Sequence, residues 1–161
     1  SFVFLWGQKE ERAPTWFSMF VEKNVDGLPL NGEKTPMVEA MERVWTGKEP
    51  LQTAPVVKQL SINGSTFNVY VAPNKPVEAE VIVQDRENDK LTYVWELLKE
   101  ATVTATGGAF EPRPDRVGEV VTTDVNTYTT KIKEPGNYRL YVYILDNTGF
   151  VSTANIPFQV K

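Results

Sequence analysis

The stretch VEAEVIVQDRENDKLTYVWELL, residues 77–98, contains two runs in which every second residue is apolar. The alternating apolar residues are Val77, Ala79, Val81 and Val83, and then Leu91, Tyr93, Trp95 and Leu97. Successive side chains of a strand point to opposite faces, so this period of two predicts two β-strands. The charged residues 85–90 between the runs predict a turn. The two strands are therefore either antiparallel neighbours or joined across one end of a sandwich.

Three further strand-like runs follow, at 126–133, 138–145 and 150–160. Turn sequences rich in Pro, Gly, Asn and Asp separate them, at 134–137 and 146–149. Several short strands without an intervening helix predict a mainly β protein, an immunoglobulin-like antiparallel β-sandwich. Trp95 has the position of the buried mid-strand Trp of such sandwiches, Tyr138 resembles their corner tyrosine, and Leu140 stands where their second cysteine would be.

The first fifty residues have a different pattern. The continuous apolar run at 2–6 is typical of a strand buried on both faces, and residues 15–21 are too apolar to remain in water. Thr35 and Pro36 predict the start of a helix and Gly47 its end. The helix is amphipathic, since its apolar residues recur at helical spacing: Met37, Met41, Val44 and Trp45.

The pattern changes at residues 48–55, where two prolines stand among small and polar residues and disfavour both helix and central strand. We therefore predict three parts. Residues 1–47 form a short strand, an apolar loop and the helix, residues 48–55 form a linker, and residues 56–161 form the β-sandwich.

Composition excludes several functional classes. The 161 residues carry a net charge of −4 without a basic stripe, which argues against nucleic-acid binding. His and Cys are both absent, so His-dependent nucleophilic catalysis, thiolate chemistry and the usual zinc sites are excluded. No apolar run approaches a membrane span, and we expect any export signal to lie outside residues 1–161.

Residues 2–20, FVFLWGQKEERAPTWFSMF, resemble the last strand and following loop of a bacterial (β/α)₈-barrel glycoside hydrolase. Residues 33–47 would then match the final barrel helix. Residues 83–95, VQDRENDKLTYVW, are similar to the Asp-rich turn and Tyr-x-Trp strand of repeats of the polycystic kidney disease (PKD) type. A whole barrel needs about 250 residues, so only its end could be present. The resemblance implies that the catalytic carboxylates lie on earlier strands.

No catalytic residue is therefore expected in this chain. Glycosidases need two carboxyl groups flanking the scissile bond in a cleft. Glu10 and Glu11 are adjacent, so on a strand they would point to opposite faces, and we expect both to be surface carboxylates.

The candidate carbohydrate-binding residues are Trp6, Gln8, Lys9 and Trp16. An aromatic ring stacks on the apolar face of a sugar, while amide and ammonium groups bond its hydroxyls. The resemblance supports Trp6 most, as the aromatic residue that would border the sugar site. The alternative is core packing, the usual role of aromatic residues inside apolar runs.

Calcium is the one candidate cofactor, with Asp85, Asn88 and Asp89 as its candidate ligands and Asp146 and Asn147 as further contributors. The spacing lacks the regularity of a calcium loop, and neighbouring basic side chains repel a cation. We therefore expect turn residues that bond their own backbone, with no cofactor, and keep the calcium site as the alternative.

Two further features are open to more than one interpretation. Tyr141 and Tyr143 lie on the strand face opposite Tyr138 and Leu140, and we expect them to pack against the N-terminal segment rather than to form a binding strip. The long connection 102–118 is expected to be a solvated excursion, with a functional loop as the alternative.

Together these features predict a non-catalytic accessory domain from the C-terminal end of a secreted bacterial glycoside hydrolase, in the periplasm, at the cell surface or outside the cell. Its partners would be the catalytic barrel and polysaccharide, and exposed apolar surface at 1–20 makes self-association a further expectation. The alternative is an adhesive or protein-interaction module of the cadherin or PKD kind.

Overall fold

Five of the described strands form where the sequence predicts them, whereas the strands at 56–62, 69–71 and 121–123 were not predicted. A computed structural model describes residues 3, 6–7, 9–10, 19–103 and 110–161, so the predicted strand at 2–6 lies largely outside the described residues. The elements are α1 (Pro36–Thr46), β1 (Val56–Ile62), β2 (Val69–Val71), β3 (Pro76–Gln84), β4 (Thr92–Lys99), β5 (Val121–Thr123), β6 (Thr127–Lys131), β7 (Gly136–Leu145) and β8 (Val151–Val160). No helix among them has the length and apolar character that a membrane span requires.

The strands form a β-sandwich of two sheets, which confirms the predicted fold class. One sheet has the order β1-β3-β6 and the other β2-β8-β7-β4-β5. Neighbouring strands are antiparallel except β2 and β8, which are parallel. Strands β3 and β4 lie in different sheets, so the charged turn at 85–90 crosses one end of the sandwich.

The core between the sheets is built from the alternating apolar positions. Val77, Val81, Trp95 and Leu140 are all fully buried there. The Trp95 ring stacks on Tyr128 across the sheets, with ring centroids 5.7 Å apart. The Tyr138 hydroxyl donates a hydrogen bond of 2.8 Å to the carbonyl of Glu134, four residues earlier, which confirms the tyrosine corner.

A second layer covers part of the outer face of the five-stranded sheet. Tyr141 and Tyr143 on β7 and Val94 and Leu98 on β4 are buried there against the N-terminal segment. The covering side chains are Val21, Leu28 and Leu30. This contact confirms the prediction that the outward tyrosines pack against the N-terminal segment.

Helix α1 has the predicted ends. The Thr35 hydroxyl accepts a hydrogen bond from the Met37 N–H, and Gly47 ends the helix with φ at 69°. However, its buried residue is Glu39, whereas Val44 and Trp45 are 65% and 52% exposed. The sandwich therefore does not cover the apolar face of this amphipathic helix.

The connection at 48–55 has neither helix nor strand, and it is attached to the sandwich. The Arg86 guanidinium donates a hydrogen bond to the Pro50 carbonyl at 3.0 Å, and the Thr53 hydroxyl bonds to Glu87 at 3.1 Å. Ala54 is 2% exposed, and the Ser152 hydroxyl donates to the Pro55 carbonyl. These contacts hold the connection against the sandwich. The predicted division of the chain into parts at residues 48–55 stays a prediction.

Candidate functional site

Three clusters of side chains have the chemistry of a site: an aromatic surface, a group of carboxylates at one end of the sandwich, and a buried network of charges. The first is centred on Trp6, whose ring stacks on Phe20 with centroids 6.5 Å apart and on Trp45 at 6.3 Å. Trp6 is 55% exposed and Trp45 52%, so neither ring belongs to a core. We call Trp6, Phe20, Met37, Val44 and Trp45 the aromatic surface.

Of the predicted carbohydrate-binding residues, the structure describes Trp6 and Lys9. Lys9 is half-buried, and Gln8 and Trp16 lie outside the described residues. The structure instead brings Trp45, from a helix that the sequence placed forty residues away, against Trp6. The apolar stripe of the helix indicated that Trp45 would contact another apolar group. That this group is Trp6 depends on the tertiary fold.

The second cluster lies at the turn between β3 and β4. Carboxylate oxygens of Asp85, Glu87 and Asp89 lie within 4.8 Å of one another. The Asp89 backbone N–H donates to Asp85 at 2.7 Å, and Asn88 is an exposed turn residue with φ at 60°. Glu87, which was not among the predicted ligands, is the third member of this group, which we call the carboxylate cluster, and Asn88 as a ligand stays a prediction.

The carboxylates of this cluster would attract a cation, whereas the neighbouring Arg86 would repel it. Desolvation and then the nearby Asp85 raise the pKa of Asp89, with Asp146 and Glu87 contributing further. Asp85 Oδ1 and Asp89 Oδ2 are buried without a hydrogen-bond partner in the described part of the chain. Against this, Arg86 forms an ion pair with Glu87 at 2.7 Å.

Asp146 and Asn147 act as turn residues. The Asp146 carboxylate accepts hydrogen bonds from the Thr148 N–H at 2.8 Å and the Phe150 N–H at 2.9 Å. The Asn147 amide donates to the Lys90 carbonyl, which joins the two turns at this end of the sandwich. Asp146 therefore bonds to the backbone of its own turn, as expected, whereas Asn147 bonds to the backbone of the neighbouring turn.

The third cluster is a buried network of charges on the outer face of the five-stranded sheet. Glu96 on β4 is completely buried, and both of its oxygens are bonded, one to Arg113 and the other to Arg116 Nε at 2.8 Å. Arg113 also donates to Glu22 at 2.6 Å, and the Tyr143 hydroxyl lies 3.5 Å from Glu22. The network therefore joins the sheet, the N-terminal segment and the connection after β4.

One expectation from the sequence holds only in part here, and another is wrong. The described part of the 102–118 connection is solvated at Val103 and Phe110, which are 52% and 88% exposed, but Glu111 is 4% exposed and the two arginines bind buried carboxylates. Glu10 is half-buried rather than a surface carboxylate, while Glu11 lies outside the described residues. Burial raises the pKa of Glu10 to about 7, opposed by Arg113 and assisted by Glu22, Glu111 and Glu96.

The network is suited to holding the chain together rather than to catalysis. A general acid or base must be within reach of a substrate, and Glu96 is inaccessible with both oxygens occupied. Burial raises the pKa of Glu22 while Arg113 opposes that shift. Removing one partner of such a group leaves an uncompensated buried charge, which is strongly destabilising.

The sequence matches no protein-family model and no curated protein. The structure is similar to the PKD domain of an M14-like peptidase from a Thermoplasmatales archaeon, with 13% identity and a TM-score of 0.40, over 66% of this chain and 92% of that chain. It is also similar to a superoxide reductase (neelaredoxin) from Ignicoccus hospitalis, with 15% identity and a TM-score of 0.40, over 79% and 94% of the two chains. A third neighbour is the PmoD soluble domain from a Methylocystis species, at 12% identity and a TM-score of 0.37, over 71% and 95%. At this level of similarity the neighbours assign neither family nor activity.

We predict that Arg113→Met destabilises the protein by about 3–5 kcal/mol, because Glu22 and Glu96 would remain buried without their shared cation. Urea unfolding followed by tryptophan fluorescence measures the change. Lys48→Met is the control, since Lys48 is an exposed cation outside the network, and the unfolding midpoint of this variant should stay unchanged. Equal effects of the two substitutions would contradict a structural role for the buried network.

We predict that Glu10 makes folding stability fall as the pH rises from about 4.5 to about 7. Its pKa is higher in the folded than in the unfolded chain, so the folded state binds the proton more tightly and loses that advantage on deprotonation. Melting temperatures between pH 5 and pH 8 test this for the parent protein and for Glu10→Gln. The variant should show the flatter profile, and parallel profiles would contradict the prediction.

Proposed function

We propose that this chain is a non-catalytic accessory module from the C-terminal end of a secreted (β/α)₈ glycoside hydrolase, and that it stabilises the catalytic barrel as a rigid spacer. The observation that carries the proposal is the exposed aromatic surface. We propose that the module is located in the periplasm, at the cell surface or outside the cell. Its proposed partners are the catalytic barrel and polysaccharide.

The aromatic surface has the character of an interface that needs a partner. Trp6, Val44 and Trp45 are all more than half exposed, and the Trp6 ring stacks on Trp45. Clustered apolar surface of this kind is typical of protein contacts, whereas scattered exposed apolar residues are ordinary. The residues that form it are those whose sequence resembles the end of a barrel.

The same part of the chain is held firmly to the sandwich. Glu22 is tied to the sheet through Arg113, and the backbone of Lys34 exchanges hydrogen bonds of 2.9 Å with Gly149 and Val151. The α1 face carrying Glu39 is turned inward. A barrel seated on the aromatic surface would therefore have a stiff connection to the sandwich, which supports a spacer or stabiliser.

The chemistry of the described residues supports a non-catalytic role. Glu96 is held by two arginines and Glu22 by one, and the carboxylate cluster lies beside Arg86 at a turn. None of these arrangements provides the pair of accessible carboxyl groups across a cleft that glycoside hydrolysis uses.

The proposal is tested on the protein encoded by the full reading frame. We predict that Trp6→Ala combined with Trp45→Ala shortens the half-life of its glycosidase activity at elevated temperature several-fold, because the barrel would lose its apolar contact. Leu51→Ala is the matched control, since Leu51 is 91% exposed and outside the aromatic surface. A reading frame without a barrel, or hydrolysis by residues 1–161 alone, would overturn the proposal.

The second candidate is a calcium-dependent adhesive or protein-interaction module, and the carboxylate cluster favours it. Three carboxylates within 4.8 Å, two of them with a buried unpaired oxygen, are the type of ligand that calcium prefers. The ion pair between Arg86 and Glu87 weighs against it.

For this candidate we predict that calcium chloride raises the melting temperature of the parent protein and that Asp89→Asn removes the rise, because a ligand that binds only the folded state stabilises it. Asp124→Asn, a change of the same charge at a different turn, should keep the rise. An unchanged melting temperature in millimolar calcium would rule this candidate out.

A further inference from the structure

The outer face of the five-stranded sheet is only half covered, and its open half carries a row of polar and aromatic side chains. Tyr70 on β2 pairs with Gln159 on β8, which in turn pairs with Asn137 on β7. Their strand neighbours Val69, Phe158 and Tyr138 point into the core, so the three side chains share the outer face. Strands are about 4.8 Å apart, so the row is roughly 10 Å long.

These side chains line a shallow, open groove of about 330 Å³. Glu100 and Arg139 form its wall beyond Asn137, joined by an ion pair at 2.8 Å. Arg139 also donates to Asn155 at 2.6 Å, so its guanidinium is held between Glu100 and Asn155. A second depression of about 280 Å³ shares Glu100 and Asn137 with the groove and extends it around the start of β7.

The groove presents one exposed ring beside paired amides. Tyr70 is 57% exposed, and the Lys161 ammonium lies 3.6 Å from the centre of its ring, which fixes the ring and covers one face. The Gln159 amide donates to the Asn137 amide oxygen at 3.1 Å. This bond uses the Asn137 oxygen, so both amide N–H donors of Asn137 and the amide oxygen of Gln159 are without partners among the described residues.

We propose that this groove binds an uncharged oligosaccharide chain. A sugar ring has an apolar face that packs on an aromatic ring and a rim of hydroxyls that each donate and accept, which matches Tyr70 beside the free donors of Asn137 and the free acceptor of Gln159. The proposal rests on the proposed function for the presence of polysaccharide near the chain, whereas the ligand class follows from the groove itself.

The charges of the groove favour a neutral ligand. Arg139 and Glu100 neutralise each other, and the Lys161 ammonium is engaged with the Tyr70 ring. A polyanion would meet the Glu100 carboxylate, and an apolar peptide would bury amides that it cannot satisfy. The groove is also separate from the aromatic surface. Asn137 of the groove lies at the start of β7, whereas Tyr141 and Tyr143, further along the same strand, are covered by the N-terminal segment.

Affinity electrophoresis of residues 1–161 tests the proposal, in gels that contain hydroxyethylcellulose, xylan or galactomannan, with polygalacturonate as the anionic counterpart. We predict retardation in at least one neutral polymer. Tyr70→Ala should weaken it about ten-fold, which corresponds to the loss of one aromatic contact. Tyr70→Phe should retain binding, because the ring and not the hydroxyl makes the contact, and Gln159→Ala should weaken it.

Trp45→Ala is the matched control, since Trp45 is similarly exposed but belongs to the aromatic surface. It should leave the retardation unchanged. Absence of retardation in all three neutral polymers overturns the proposal, as does retardation only in polygalacturonate or binding that Trp45→Ala removes and Tyr70→Ala does not. The half-life experiment with Trp6 and Trp45 reports on the barrel contact alone, so failure of one proposal is distinguishable from failure of the other.

Discussion

Glu96 is a fully buried carboxylate in the middle of a β-sheet, and the arrangement of the chain around it follows from the need to compensate its charge. A buried carboxylate costs several kcal/mol unless it is paired and hydrogen-bonded. Arg113 and Arg116 supply that compensation from the connection after β4. Arg113 in turn binds Glu22, so the N-terminal segment is joined to the same network.

The need to compensate the Glu96 charge explains why the outer face of the five-stranded sheet is partly covered, unlike the outer face of a simple sandwich. In a two-layer sandwich the outer faces are polar. Here β4 and β7 also carry Val94, Leu98, Tyr141 and Tyr143 on the outer face, and the N-terminal segment covers them. The half of the sheet that the segment does not reach keeps exposed polar side chains, so the extent of the cover decides where a ligand groove can exist.

The surfaces with the chemistry of binding are therefore spread around the sandwich. The aromatic surface faces away from the sandwich because α1 turns Glu39, rather than its apolar stripe, inward. The carboxylate cluster occupies the end of the sandwich where β3 crosses to β4. The groove with Tyr70 lies on the open half of the five-stranded sheet. The proposed contacts with a barrel and with a polymer therefore use separate surfaces.

The sequence by itself determined β3, β4, β6, β7 and β8, the helix with its caps, the tyrosine corner and the buried Trp95, because each depends on a local period or on a few neighbouring residues. It did not predict β1, β2 or β5. It also indicated that Tyr141 and Tyr143 needed a cover. Only the tertiary structure decided that Glu96, Arg113 and Glu22 meet, and that Tyr70 aligns with Gln159 and Asn137. Those contacts join residues that are far apart in the chain, and a pattern of period two gives the face of a side chain but not its neighbour on the next strand.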